Sequence, residues 1–228
     1  MSNKANPTLL DKQGFQLADY FIDPDSLSSI NQELENFDCA INKGGIRNAE
    51  KKLNSVKSFT QSDVLLKQAS EFLDGKAEVV RVILFNKSPE NNWLVSWHQD
   101  KTVAISDKFV MDGWKNWTVK DGIHHVQPPL EVLHKMVSFR IHLDDTDLEN
   151  GCLNVIPRSH LSGILNQSQI SEIIDQHAVV NCEAKAGSIL VMKPLILHSS
   201  SRAVSVQPRR ILHIEFSSYQ LPKDIMWA

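Results

Sequence analysis

His98 and Asp100, in Trp97-His98-Gln99-Asp100, and His198, far down the chain, are the residues whose types and spacing best suit chemistry. An extended strand turns alternate side chains to one face, so His98 and Asp100 can point the same way and grip a single ion. Two imidazoles and one carboxylate on one side of a metal form the facial triad of non-haem iron(II) oxygenases, which leaves the opposite positions open for co-substrate and dioxygen. His-x-Asp alone is a weak signal, because short patterns recur by chance. Its second half, His198-Ser199-Ser200-Ser201-Arg202 running on to Pro208-Arg209-Arg210, raises it.

Charge supplies an independent requirement. Iron(II) brings two positive charges, Asp100 one negative and a chelating 2-oxoglutarate two more, so about one negative charge is left to balance in a dry pocket where charge is expensive. One inward arginine would neutralise it. Arg209 opens a strand on which Leu212, Ile214 and Phe216 share one face, while Arg209, Ile211 and His213 share the other, towards the metal. A guanidinium fork meets a carboxylate in bidentate fashion, which lysine cannot imitate. Arg210 falls on the opposite face and reads as structural.

The elements that must hold these residues follow from periodicity. Asp23 caps a helix opened by Pro24, with Leu27, Ile30, Leu34 and Phe37 at helical spacing. A second helix is expected from Ser62 to Leu73, with Val64, Leu65, Ala69 and Phe72 on one side and Gly75 as its stop. Lys43-Gly44-Gly45-Ile46-Arg47-Asn48 between them reads as a flexible loop. From Glu78 onward short strands take over: Glu78–Asn86, Trp93–Asp100, Met136–Asp144, Cys152–Ile156, Ser188–Lys193 and Arg209–Ser218. The fold class expected is mainly β with flanking helices, a double-stranded β-helix or jelly roll. Residues 101–133, with Trp114, Trp117, His124, His125 and Pro128-Pro129 and little clean periodicity, read as a long connection closing over the site as a lid.

A chain of 228 residues fits one domain over 1–228, with helical support over 1–75 and a jelly-roll core over 76–218. Hydrophobic residues at 42%, charged residues at 22% and a net charge of −3 describe a soluble globular protein with no general attraction for nucleic acid. No apolar run approaches the ~18 residues of a membrane helix and the start lacks a signal-peptide core, so a cytoplasmic location is expected. Cys39, Cys152 and Cys182 show no CxxC spacing and read as reduced, buried thiols.

Beyond these readings, the chain resembles the phytanoyl-CoA dioxygenase family of Fe(II)/2-oxoglutarate-dependent oxygenases. The matching pieces are Trp97-His98-Gln99-Asp100, then Glu149-Asn150-Gly151-Cys152-Leu153-Asn154-Val155-Ile156-Pro157-Arg158-Ser159-His160, then His198-Ser199-Ser200 and Arg209-Arg210-Ile211-Leu212. Gly14-Phe15 before a helix is a weaker match. The resemblance implies iron ligation by His98, Asp100 and His198, a salt bridge from Arg209 to 2-oxoglutarate, and Gln99 and Ser200 beside that co-substrate. It also implies oxidation of a C–H bond of a small or medium organic molecule, with release of succinate and carbon dioxide. Related halogenases replace the carboxylate ligand by a small residue, and this chain keeps Asp100, which favours hydroxylation. Where relatives often carry an aromatic residue before Asn-Gly-Cys, this chain has Arg140, leaving it two roles: to touch the co-substrate, or to meet an acidic group of the substrate.

Other residues have two readings at this stage. His142 shares a face with Arg140 and either enters the pocket or is a satisfied core histidine. Trp114 and His125 either cover substrate or pack a loop. Arg47, Arg81 and Lys87 either bring positive charge to the pocket, hinting at an anionic substrate, or face solvent. Asn150-Gly151 reads as a turn, and His160 as structural. Two competing functions remain: a metal-binding sensor without turnover, and epimerisation or ring closure on the same fold.

Overall fold

Alternation along two strands, β8 (Met136–His142) and β13 (Arg209–Ser217), sets the layers. In the computed structural model, which describes residues 6–37, 45–88 and 91–228, Val137, Phe139, Ile141, Leu212, Ile214 and Phe216 join one apolar core beneath the helices. The alternate residues Arg140, His142, Arg209, Ile211, His213 and Glu215 therefore point the other way, into the barrel. The antiparallel sheet runs β1 (Phe15–Ala18), β11 (Ile189–Met192), β8, β13, β3 (Glu78–Lys87), β2 (Ile46–Arg47). Opposite it lies a four-stranded sheet, β10 (Val180–Cys182), β9 (Leu153–Val155), β12 (His198–Ser200), β4 (Val95–His98). Leu190 and Met192 of the first sheet meet Leu153, Val155 and Cys182 of the second, closing one end of this jelly roll.

The helices cover the outer face of the larger sheet. In the helix Pro24–Asn36, Asp23 accepts from the Ser26 N–H at 2.8 Å, and Ile30 and Leu34 are buried. The second expected helix forms over Asp63–Ser70, capped by Ser62, and ends earlier than its pattern suggests; Val64, expected on its inner side, is exposed. Phe139 is the hub of this layer, with Phe21, Phe72 and Phe216 edge-on at 5.6, 5.7 and 5.1 Å. Phe139→Ala should cost about 3–5 kcal/mol of unfolding free energy in denaturant titration. A loss under about 1 kcal/mol would remove it from the centre of the core.

Two stretches differ from the sequence reading. Residues 45–48 are not a free loop: Ile46 and Arg47 pair with Leu84 and Ile83 as an edge strand, while Lys43 and Gly44 lie outside the described residues. Residues 101–133 are not an irregular connection but a three-stranded sheet, β5 (Val103–Ile105), β7 (Ile123–Gln127), β6 (Lys115–Lys120), followed by a short helix, Leu130–His134. Lys120 pairs with Ile123 across Asp121-Gly122, whose φ values of 51° and 76° give the tight turn that matches strand twist. Asp121 then ties this turn to Lys52 at 2.7 Å.

Cys152 and Cys182 are unpaired and buried, and burial pushes their thiols up to about 11 and about 12, so both are inert. Cys39 lies outside the described residues. Among the described residues no helix is long and apolar enough to cross a membrane.

Candidate active site

His98 and His198 meet as a cross-strand pair of β4 and β12, their ring centroids 4.2 Å apart. The apolar run Leu195-Ile196-Leu197 drives the approach to β12 into the interior. The strand expected to run through Asp100 ends at His98; Asp100 instead donates its N–H to the Pro194 carbonyl at 2.9 Å. That turn still delivers its carboxylate, 3.8 Å from His98 Nε2 and 3.7 Å from His198 Nε2.

Each imidazole is held by its other nitrogen. His98 Nδ1 donates to the Ser96 carbonyl at 2.8 Å and His198 Nδ1 to the Ile196 carbonyl at 2.9 Å. A carbonyl can only accept, so both rings carry the proton on Nδ1 and offer the Nε2 lone pair inward. Burial pushes His198 down to about 4, keeping it neutral. Burial opposes ionisation of Asp100, yet His198, His213, His98 and Arg81 together hold its carboxyl below the usual range. Three donors within 4.8 Å of one another, two neutral and one anionic, suit iron(II). Asp100, His213 and Glu215 form a second such group, but Glu215 already pairs with Arg81 and accepts from His213 Nε2 at 3.2 Å. A cation there would displace both.

The triad lies in a cavity of about 390 Å³ between the sheets. Arg209 lines it, buried, its Nε without a partner among the described residues; burial and Arg140 lower it to about 9. Such an orphaned guanidinium fits an incoming carboxylate. Arg140 lies on the same face, donating to His213 Nδ1 at 3.4 Å and stacked 5.3 Å from the centre of the Phe85 ring. Arg47, His125 and Ser200 also line the cavity. His125 accepts from Arg81 at 3.3 Å, and burial lowers it to about 4.

Several expected site residues sit elsewhere or are otherwise engaged. Trp114 packs with Phe109, Val126 and Leu133 in a second core, away from the cavity. His142 shares the Arg140 face but is not among the residues that line the cavity, its Nδ1 donating to the Ser188 carbonyl at 3.3 Å; burial takes it to about 3. Gln99 lies at the wall with its amide spent on backbone, donating to Gly163 and Leu195 carbonyls and accepting from Leu165 N–H, each at 2.8 Å. It buttresses the cavity, with both amide protons already committed. Arg210 is structural as expected, forked on Asp144 at 2.9 and 2.7 Å.

Lys87 is fully buried behind Ser200, donating to Ser200 Oγ at 3.0 Å and to the Ser201 carbonyl at 2.6 Å. Gly151, at φ 78°, completes this corner: a Cβ there would stand 2.6 Å from the Ser201 carbonyl oxygen and 3.2 Å from Lys87 Nζ. Burial lowers Lys87 to about 7 from an ordinary 10.5. Between those values the unfolded chain binds the extra proton, so this residue adds stability as pH rises. The unfolding free energy of wild type should therefore rise relative to that of Lys87→Met from pH ~7 to ~10; parallel pH profiles would refute the assignment.

Residues that the sequence reading left unassigned complete the wall. Glu215 continues the inward alternation of β13, and its buried ion pair with Arg81 braces the strands behind Asp100. Lys101, Thr102 and Lys120 line the cavity as well.

An antiparallel jelly roll with two histidines and one carboxylate converging beside buried arginines defines the class of non-haem iron oxygenases that use 2-oxoglutarate. The model of the phytanoyl-CoA dioxygenase (PhyH) family matches residues 10–211, and the chain belongs to that family, whose members depend on Fe(II) and 2-oxoglutarate. No curated protein sequence matches the chain. Among solved structures, AviO1 from Streptomyces viridochromogenes Tue57 is similar at 20% identity and a TM-score of 0.69, over 95% of each chain. EctD from S. alaskensis, with 2-oxoglutarate and 5-hydroxyectoine, is similar at 16% identity and 0.72, over 93% of this chain and 74% of its own. The epimerase SnoN, with Fe3+, alpha ketoglutarate and nogalamycin RO, is similar at 12% and 0.71, over 93% and 82%. At these identities the likeness is one of fold.

Proposed function

We propose that the chain is an Fe(II)- and 2-oxoglutarate-dependent dioxygenase that hydroxylates a small organic molecule. The observation that carries this is the His98–His198 pair, both Nε2 atoms turned towards Asp100 with Nδ1 tied to backbone. His98, Asp100 and His198 would hold iron, and Arg209 the distal carboxylate of 2-oxoglutarate. Iron(II) with 2-oxoglutarate and dioxygen supplies an oxidant able to attack an unactivated C–H bond, releasing succinate and carbon dioxide. The protein's residues do the rest: Nδ1–carbonyl bonds fix the ligand tautomers, Gln99 and Lys87 pin the loops behind the triad, and the cavity excludes water. Ser200, at the wall between Lys87 and the cavity, is assigned to the co-substrate side.

A second outcome on the same site is supported by the solved structures of SnoN, an epimerase, and SnoK, a carbocyclase, both alpha ketoglutarate dependent. A catalytically silent sensor is less well supported, since it has no use for an open ligand face next to a buried arginine. Mass spectrometry of a metabolite mixture incubated with the iron-loaded chain and 2-oxoglutarate separates these. Hydroxylation yields a product heavier by one oxygen atom; ring closure removes two hydrogens, epimerisation leaves the mass unchanged, and either result would overturn the hydroxylase reading.

A further inference from the structure

We propose that the substrate is an organic anion whose carboxylate or phosphate is received by Arg140 together with Arg47 and Lys120 at the cavity mouth. This rests on the iron(II)/2-oxoglutarate reading above and names the substrate class for it.

The cavity is lined by six cationic side chains, Arg47, Arg81, Lys101, Lys120, Arg140 and Arg209, against one carboxylate, Asp100. Glu215 neutralises Arg81 from behind. Iron(II), Asp100 and the chelating carboxylate of 2-oxoglutarate cancel, and its distal carboxylate cancels Arg209. Arg140, Arg47, Lys101 and Lys120 then remain without counter-charge among the lining residues. If the co-substrate used Arg140 instead, Arg209 would take its place and the surplus would be the same. The chain as a whole carries −3, so this lining runs against its overall charge.

Position narrows the assignment. Strand register sets Arg47, Ile83, His213 and Arg140 in one transverse row across β2, β3, β13 and β8. Arg140 is buried, and its polar contact is the His213 imidazole; among the described residues it has no carboxylate within ion-pair distance. A desolvated guanidinium without an anion is costly, and a bound anion removes that cost. Asp121, an acidic neighbour of Arg47, is already engaged by Lys52 at 2.7 Å. Lys101 donates to the Leu165 carbonyl at 3.3 Å, which turns it towards the wall and leaves Arg47 and Lys120 as the cations of the mouth. The cavity of about 390 Å³, shared with 2-oxoglutarate, admits a small anion or one end of a larger one.

The test uses the chain loaded with iron(II) and saturating 2-oxoglutarate without oxygen, with loading verified first by calorimetry. Failure to load would count against the underlying oxygenase reading. Pentanoate, butyl phosphate and the neutral isostere pentanamide are then titrated. At least one of the two anions should bind about tenfold or more tightly than pentanamide, the better of them telling carboxylate from phosphate. That preference should fall to about twofold in Arg140→Gln and in the double variant Arg47→Gln/Lys120→Gln. Both mouth positions are exposed, so the double variant keeps the test open if Arg140→Gln does not fold. Equal binding of all three probes, binding of none by loaded protein, anion preference unchanged in the double variant, or anions that merely displace 2-oxoglutarate would each overturn the proposal.

Discussion

Asp100→Ala protein should fold, lose iron(II) affinity by more than ~100-fold and show no turnover, since even outer-sphere partners of a metal are worth ~10–100-fold. Asp100 is the only anionic donor of the triad, 3.8 and 3.7 Å from the two Nε2 atoms, and its carboxyl is held ionised by the surrounding cations and imidazoles. Two neutral imidazoles alone leave a divalent ion with no charge compensation from the protein. Asp100→Asn preserves shape and removes only the charge, so it should lose affinity too. Calorimetry with iron(II) under nitrogen, with circular dichroism as the folding control, checks both; tight binding by Asp100→Asn would mean that another group supplies the charge.

Arg209→Lys should raise the 2-oxoglutarate requirement about ten- to hundredfold, the worth of one charge-assisted hydrogen bond, while iron affinity stays within about twofold. Lysine keeps the charge but loses the fork, and Arg209 has an unsatisfied Nε in a buried site ready for a bidentate partner. Thermal stabilisation by 2-oxoglutarate in the presence of iron reads this directly. If the requirement stayed unchanged in Arg209→Lys while Arg140→Ala raised it, the co-substrate anchor would be Arg140, and the assignment of Arg140 to substrate would fall with it.

The donor set His98, Asp100 and His198 was legible in its residue types, and the inward face of Arg209 in the period-two alternation of its strand, which is a local property of sequence. The placement of Asp100 was not: it lies beyond the strand end and reaches the site through a turn bonded to Pro194. The sheet over residues 101–133 did carry a local signal, Asp121-Gly122 between Lys120 and Ile123, the commonest two-residue hairpin turn. Its strand β6 is exposed along most of its length, so hydrophobic alternation was absent. Trp114 is an aromatic in a stretch without clean periodicity, but it belongs to a core completed by Leu195 and by Tyr219 near the C-terminus, contacts no window of sequence contains. Likewise Arg81 and Glu215 stand 134 residues apart, and only the pairing of β3 with β13 makes them partners. Lys87 read as a surface or pocket cation because lysine is rarely fully buried; Ser200 and the Ser201 carbonyl, which make that tolerable, arrive from the opposite sheet.

Succinate release from 2-oxoglutarate by the purified chain, with iron(II) and dioxygen and no other organic substrate, is the measurement that bears most directly on the iron and co-substrate site. Slow release that requires iron and disappears in Asp100→Ala is the predicted result. No iron-dependent release from the folded chain, or equal release from Asp100→Ala, would contradict it.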